Sequence, residues 1–333
     1  MIRQMSAGDL VAAASPDDTI VGIVGLGDMG AAIATSIVRS FRVIAFDLRA
    51  EAVDKLAALG VRRADSLEAL AKQCDVMIVV VIDDGQVTQV VGGVLRHPGR
   101  LHTIIISSTV LPSTVIALSE QAGKVGLDLI DAPVSGGAEK ASRGIITAMI
   151  GGHETSVRKC RRILESFSKG LFHIGPVGAG SAAKLVNNLL SLGGNVLILE
   201  AMQLAEAYGI SEDDVTEFVT QSAGDSRNIR TWGRMDRARR THTLAGTAML
   251  YEVFSKDVKT AAVAAGQRGV VLPIAASIGA MMGEKLKARD QYLEARRLTA
   301  PISRCSICNQ ELAAPYRDAG VHPECVTTDA VYS

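Results

Sequence analysis

The sequence predicts an α/β chain: a doubly wound, Rossmann-type sheet in the first half, then an all-α second half. Two observations carry this. From residue 19 to about 180, short and nearly continuous apolar runs alternate with helix-compatible stretches, the pattern of parallel strands covered by helices on both faces. Beyond residue 180 the strand-like runs stop and long apolar or amphipathic stretches take over, which read as helices.

The elements follow in order. The run TIVGIVG at 19–25 reads as a first strand, with a helical pattern from Met29, a second strand at 42–46 and a second helical stretch through Leu59. Further strands are expected at 76–82, 103–107, 127–131 and 145–150, with a helix at 113–126. Residues 181–208 read as one long helix, apolar on nearly all sides and therefore expected to be buried. Helical patterns continue over 211–298, with Pro273 near a helix start.

A chain of 333 residues, 48% hydrophobic and 21% charged, is long enough for two domains. Lysine plus arginine and aspartate plus glutamate each total 35, so no global field recruits nucleic acid or an anionic membrane. The apolar runs at 76–82 and 189–199 are too short to cross a bilayer, or are interrupted by Asn195 and Glu200, and no membrane span is expected. Residues 1–18 lack the apolar core of a secretory signal and read as a loose leader. Five cysteines, three of them in the last 30 residues, argue against a disulfide framework, and a reducing cytoplasm is the expected compartment.

Gly25-Leu26-Gly27-Asp28-Met29-Gly30 follows the first strand and opens a helix. In this context the first glycine permits the tight turn, the second admits a pyrophosphate, and the third lets helix and strand pack closely. Asp47 ends the second strand, where a carboxylate would hold a ribose 2′-hydroxyl and repel a 2′-phosphate. NAD is therefore expected, although Arg49 offers a partner for the phosphate of NADP. The boundaries that follow are a leader at 1–18, a dinucleotide-binding domain at 19–180, a helical substrate and dimerisation domain at 181–300, and a tail at 301–333.

Two further runs carry a resemblance. Asp131-Ala132-Pro133-Val134-Ser135-Gly136-Gly137 presents a hydroxyl and backbone N-H groups in a turn that suits a carboxylate. Gly178-Ala179-Gly180-Ser181-Ala182-Ala183-Lys184-Leu185-Val186-Asn187-Asn188 places Lys184 and Asn188 on one helix face, i and i+4. Together these resemble the substrate-binding and catalytic signatures of the β-hydroxyacid dehydrogenase family. The resemblance implies an NAD(P)-linked oxidoreductase of small 3-hydroxy acids. In it Lys184 is the general acid/base, Asn188 orients the hydroxyl, and Ser135, Gly136 and Gly137 hold the carboxylate, while Asn187 reads as structural. It also implies that Val81 and Thr109 line the cofactor, that Lys256 of Lys256-Asp257-Val258 reaches back to it, and that the protein assembles as a homodimer or homotetramer.

Three readings stay open. Residues 226–242 carry Arg227, Arg230, Arg234 and Arg237, a single basic stripe if helical, which would capture a second anionic group on the substrate or merely form a solvated face. Cys305, Cys308, His322 and Cys325 have the spacing of a structural zinc knuckle, with a redox or free-thiol role and an incidental tail as the alternatives. An imine reductase on the same fold, or an idle nucleotide-binding scaffold with a zinc tail, are the competing functions.

Overall fold

A computed structural model describes residues 3–4, 19–244 and 250–299. The four zinc-knuckle candidates, Cys305, Cys308, His322 and Cys325, lie outside the described residues, as does nearly all of the leader. Among the described residues no cluster of histidine, cysteine or acidic side chains could hold a metal. The chain divides into two compact units, Met1–Met282 and Gly283–Ser333; the sheet and the residues of the candidate site all belong to the first.

The strands are β1 (Arg3–Gln4), β2 (Ile20–Val24), β3 (Arg42–Phe46), β4 (Arg62–Arg63), β5 (Val76–Val79), β6 (Thr103–Ile106), β7 (Asp128–Asp131), β8 (Val134–Ser135), β9 (Ile146–Gly151) and β10 (Ser168–Gly175). They form one sheet in the order β1-β10-β9-β7-β6-β5-β2-β3-β4, with β8 paired to β9. From β4 to β7 all neighbours are parallel, with the strand order of a dinucleotide-binding sheet reversing between β2 and β5. The expectation of a wholly parallel sheet needs correcting at one edge. β9 meets β7 antiparallel, and β10, unforeseen in the sequence, adds beside it. SKGLFHIG in β10 mixes polar and apolar residues without clean alternation, so the run carries little strand signal.

Helices α1 (Asp28–Ile37), α2 (Ala50–Asp54), α3 (Leu67–Gln73), α4 (Asp84–Leu95), α5 (Pro112–Lys124), α6 (Ala138–Ser142) and α7 (Glu154–Phe167) connect these strands. Alternation along the strands divides the core in two. Val21, Ile23, Ile78 and Ile105 face α1 and α7 with Ile33 and Phe167, whereas Val24, Met77, Val79, Ile104 and Ile106 face α3, α4 and α5 with Leu70, Val91 and Leu118.

The long helix expected over 181–208 is two helices. α8 (Ala179–Asn188) and α9 (Gly194–Ala207) are joined by a π-helical turn at Leu189–Gly193. Asn228 donates its amide to the Ser191 carbonyl at 2.7 Å, a second donor to a carbonyl that also accepts a backbone N-H at the end of the turn. Nor is this pair of helices buried all round: Val186, Leu190, Leu197 and Leu204 are exposed. Ala179–Ala207 is long and apolar enough to cross a membrane by length and composition, which the sequence reading did not anticipate. Its first half packs on β9, β10, α5 and a later helix, as a core helix does.

Beyond it come α10 (Glu212–Val219), α11 (Arg227–Arg230), α12 (Arg234–Leu244), α13 (Leu250–Gly266) and α14 (Pro273–Thr299), the last starting at Pro273 as expected. The arginine stripe is not continuous. A turn with Gly233 at φ +79° separates Arg227 and Arg230 from Arg234 and Arg237, and Arg230 is occupied by a two-point ion pair with Asp225.

Candidate active site

Two groups of residues meet at the carboxyl ends of the parallel strands, where open α/β sheets place their ligands. The first is the glycine loop between β2 and α1. Gly25 adopts φ +88°, and its N-H donates to the Phe46 carbonyl at 3.0 Å. A Cβ on Gly30 would overlap the Gly25 carbonyl oxygen, so loop and helix approach more closely than any side chain permits. Gly27, by contrast, caps α1 and has nothing within 4 Å of where its Cβ would be. That open space beside the first amides of α1 fits a pyrophosphate.

Asp47, at the end of β3, accepts from Leu26 N-H at 2.7 Å through one oxygen and from Arg49 N-H at 2.9 Å through the other. Arg49 Nε lies 3.4 Å from the same carboxylate. With four lone-pair positions, the anchored carboxylate still has capacity for ribose hydroxyls. Val81 is fixed from the other side, its N-H donating to Ser108 Oγ at 2.8 Å. The residues present therefore fit a dinucleotide.

The second group surrounds Lys184. Lys184 and Asn188 share one face of α8, and Asn188 donates to Asp257 Oδ2 at 2.9 Å. Lys256 lies on α13 beside Asp257; its ammonium donates to the Thr109 carbonyl at 2.7 Å and sits 2.8 Å from Asp257 Oδ1. The second contact is an ion pair without hydrogen-bond geometry, so the buried Oδ1 has no hydrogen-bond donor. Burial pushes the Lys184 pKa down to about 8; the Asp257 carboxylate opposes the shift and the Lys256 ammonium reinforces it. Lys184 keeps partial access to solvent, yet desolvation governs because the protein surrounds its ammonium on most sides.

The Ser135 turn is joined to this group. Asn187 donates to Ser135 Oγ at 3.4 Å and to Asn188 Oδ1 at 3.3 Å, so a residue read as merely structural links the turn to the Lys184 face. Gly136 packs against the Ile146 side chain, whereas Gly137 caps α6 with nothing within 4 Å of where its Cβ would be, leaving the backbone open on that side.

Sequence reasoning missed Asp257. It sits beside the lysine that the Lys-Asp-Val element was read for, and only the tertiary approach of α13 to α8 makes it the shared partner of Asn188, Lys256 and Lys184. A carboxylate adjacent to a lysine is otherwise indistinguishable from a surface pair.

Residues 20–175 match the family described as the NAD binding domain of 6-phosphogluconate dehydrogenase, and residues 178–302 match the NAD-binding domain of NADP-dependent 3-hydroxyisobutyrate dehydrogenase. The 2-(hydroxymethyl)glutarate dehydrogenase of Eubacterium barkeri is 32% identical over 77% of this chain and 85% of its own length. The chain belongs to the β-hydroxyacid dehydrogenase family. It is an NAD(P)-dependent oxidoreductase. The NAD-dependent L-serine dehydrogenase of Pseudomonas aeruginosa is likewise 32% identical, over 74% of this chain and 85% of its own. Among solved structures, Mycobacterium tuberculosis 3-hydroxyisobutyrate dehydrogenase with L-serine superposes with a TM-score of 0.70 at 27% identity, covering 80% of this chain and 93% of that one. An imine reductase from Myxococcus stipitatus, at 19% identity and a TM-score of 0.56 over 81% of this chain and 94% of its own, shares the fold alone.

Proposed function

We propose that the protein oxidises a small 3-hydroxy acid, or reduces the corresponding semialdehyde or keto acid, with NAD as the preferred partner and Lys184 as general acid/base. The observation that carries this reading is a lysine whose pKa is brought down to about 8, on the same helix face as Asn188 and facing Asp257. Efficient proton transfer needs a group that titrates near the working pH, and an idle scaffold has no need of one. Nicotinamide, when bound, supplies or accepts the hydride.

The chain's own residues supply the rest. Ser135 Oγ and the amides of Gly136 and Gly137 take the carboxylate, which fixes the hydroxyl-bearing carbon. In oxidation the neutral Lys184 amine accepts the hydroxyl proton; in reduction its ammonium returns a proton to the forming alkoxide and stabilises that charge. Asn188, held by Asp257, directs its remaining amide hydrogen toward the same oxygen. The Asp47 carboxylate supports NAD over NADP, because a 2′-phosphate would meet a charge already anchored by two backbone amides. The exposed row Val186, Leu190, Leu197 and Leu204 suits the helix of a second copy, which favours a homo-oligomer.

The test is initial rates with NAD and with NADP across L-serine, 3-hydroxyisobutyrate, 2-(hydroxymethyl)glutarate and L-threonate, alongside a cyclic imine with NADH. Turnover of one hydroxy acid with a preference for NAD supports the reading; turnover of the imine alone replaces it. A second expectation concerns Asp257. Its charge raises the Lys184 pKa, so Asp257→Asn should move the pH limb governed by Lys184 to lower pH. An unmoved limb in rate-pH profiles would separate Asp257 from the proton carrier.

A further inference from the structure

We propose that Asp131 is a positioning residue for this reaction: its carboxylate, at the end of β7, clasps the first turn of α8 and so fixes Lys184 relative to the Ser135 turn. The inference rests on the reading of Lys184 given above.

The first turn of a helix has N-H groups without intrahelical partners, and a serine, threonine or aspartate at the N-cap ordinarily takes one. In α8 the N-cap is Gly178, at φ +89°, which has no side chain to do so. Asp131 does it from 47 and 50 positions upstream in the chain: Oδ1 accepts from Gly178 N-H at 2.8 Å and Oδ2 from Ser181 N-H at 2.6 Å. One carboxylate thus spans the turn from its cap to its third residue. Asp131 is fully buried, and desolvation raises its pKa against the two amides that hold the charged form.

A local cap would stabilise the helix without the cost of burying a charge. What only the remote carboxylate provides is a fixed relation between α8 and β7. The packing around it has the same effect. A Cβ on Gly151 would overlap Asp131 Oδ1, and one on Gly180 would overlap the Met149 carbonyl and lie 2.9 Å from the Asp131 carbonyl. Strands β7 and β9 and the first turn of α8 therefore meet in backbone contact. Ser181, the clasped residue, stands one turn before Lys184, and Asp131 stands four residues before Ser135. Proton carrier and substrate seat are set from one carboxylate. A displacement of about 1 Å at a reacting group is enough to cost on the order of 100-fold in rate.

The experiment uses the full chain and reads the titration midpoint of Lys184 by competitive acetylation and mass spectrometry, with NADH affinity by fluorescence and kcat and KM for the best acid of the panel. The charged groups acting on Lys184 are Asp257 and Lys256 on α13, and wild type should titrate near 8. Asp131→Asn turns an amide N-H toward one of the two donors and loosens the turn. The expected result is a Lys184 midpoint raised toward its ordinary value as desolvation eases, a kcat lower by about 10- to 100-fold, and unchanged NADH affinity. Gly180→Ala, which leaves the carboxylate intact but lifts the same turn, should do the same. Folded variants that both keep the wild-type midpoint and kcat overturn the proposal. If Asp131→Asn does not fold, Gly180→Ala decides; if neither folds, Asp131 serves folding and the proposal is equally overturned. A wild-type midpoint near 10.5, or full turnover by Lys184→Ala, instead defeats the reading of Lys184 and leaves the clasp of α8 a structural feature.

Discussion

Lys184→Met should abolish most turnover and at the same time raise the melting temperature. The rate should fall about 100- to 10,000-fold, the range that a positioned general acid/base contributes, with NADH binding unchanged because the glycine loop is untouched. The stability gain follows from linkage. The Lys184 pKa is near 8 in the folded chain against 10.5 unfolded, so the unfolded chain holds the proton more tightly. The resulting penalty on folding is fully present below pH 8, shrinks as pH rises from 8 to 10.5, and is gone above that. Methionine fills a similar volume without the charge and removes the penalty, a gain of about 1–3 kcal/mol at neutral pH and a few degrees in Tm. Differential scanning calorimetry at pH 7 and pH 10 checks this: the advantage of the variant should narrow at the higher pH. A variant both inactive and less stable would make Lys184 a structural partner of Asp257 and not a strained proton carrier.

Such a trade of stability for chemistry is hard to read in a sequence, and the site divides along that line. The glycine loop, Asp47, Ser135 and the Lys184-Asn188 face were legible because each is a local pattern: glycines where backbone must approach backbone, and polar residues one helical turn apart in an apolar run. The same holds for β2, β3, β5, β6 and β7, whose apolar runs are buried on both faces. What stayed hidden depends on distant segments meeting. Asp257 and Asp131 act over 69 and about 50 residues of separation, and nothing near either in the chain marks the partner. The π-helical turn after Asn188 was hidden for the same reason, since Asn228, which donates to the Ser191 carbonyl within it, belongs to a later helix. β10 was hidden because it is a half-exposed strand near the sheet edge without strict alternation. The mistaken burial of Val186, Leu190, Leu197 and Leu204 came from treating apolarity as burial within one chain, when an apolar face also suits a second copy.

The glycine loop offers the other large effect, and two of its glycines should fail in different ways. Gly30→Ala places a methyl group on the Gly25 carbonyl oxygen, and Gly25 cannot yield, because a Cβ's worth of space on its far side is already taken by the Val80 carbonyl. The obstacles are backbone carbonyls just past the ends of β2 and β5, not flexible side chains. The expected cost is about 1–3 kcal/mol of stability or somewhat more, as for overpacking a rigid core contact, together with loss of measurable NADH binding. Gly27→Ala meets nothing within 4 Å and should fold with an unchanged melting temperature. Its methyl group nevertheless enters the space beside the first amides of α1 that a pyrophosphate would occupy, so NADH affinity should drop by about 10- to 100-fold, equivalent to the loss of one or two charge-assisted hydrogen bonds. Fluorescence titration with NADH, run beside thermal melts of both variants, distinguishes the two outcomes. If Gly27→Ala binds NADH as wild type does, the diphosphate does not lie over the α1 N-terminus, and the open space at Gly27 has another explanation than the cofactor.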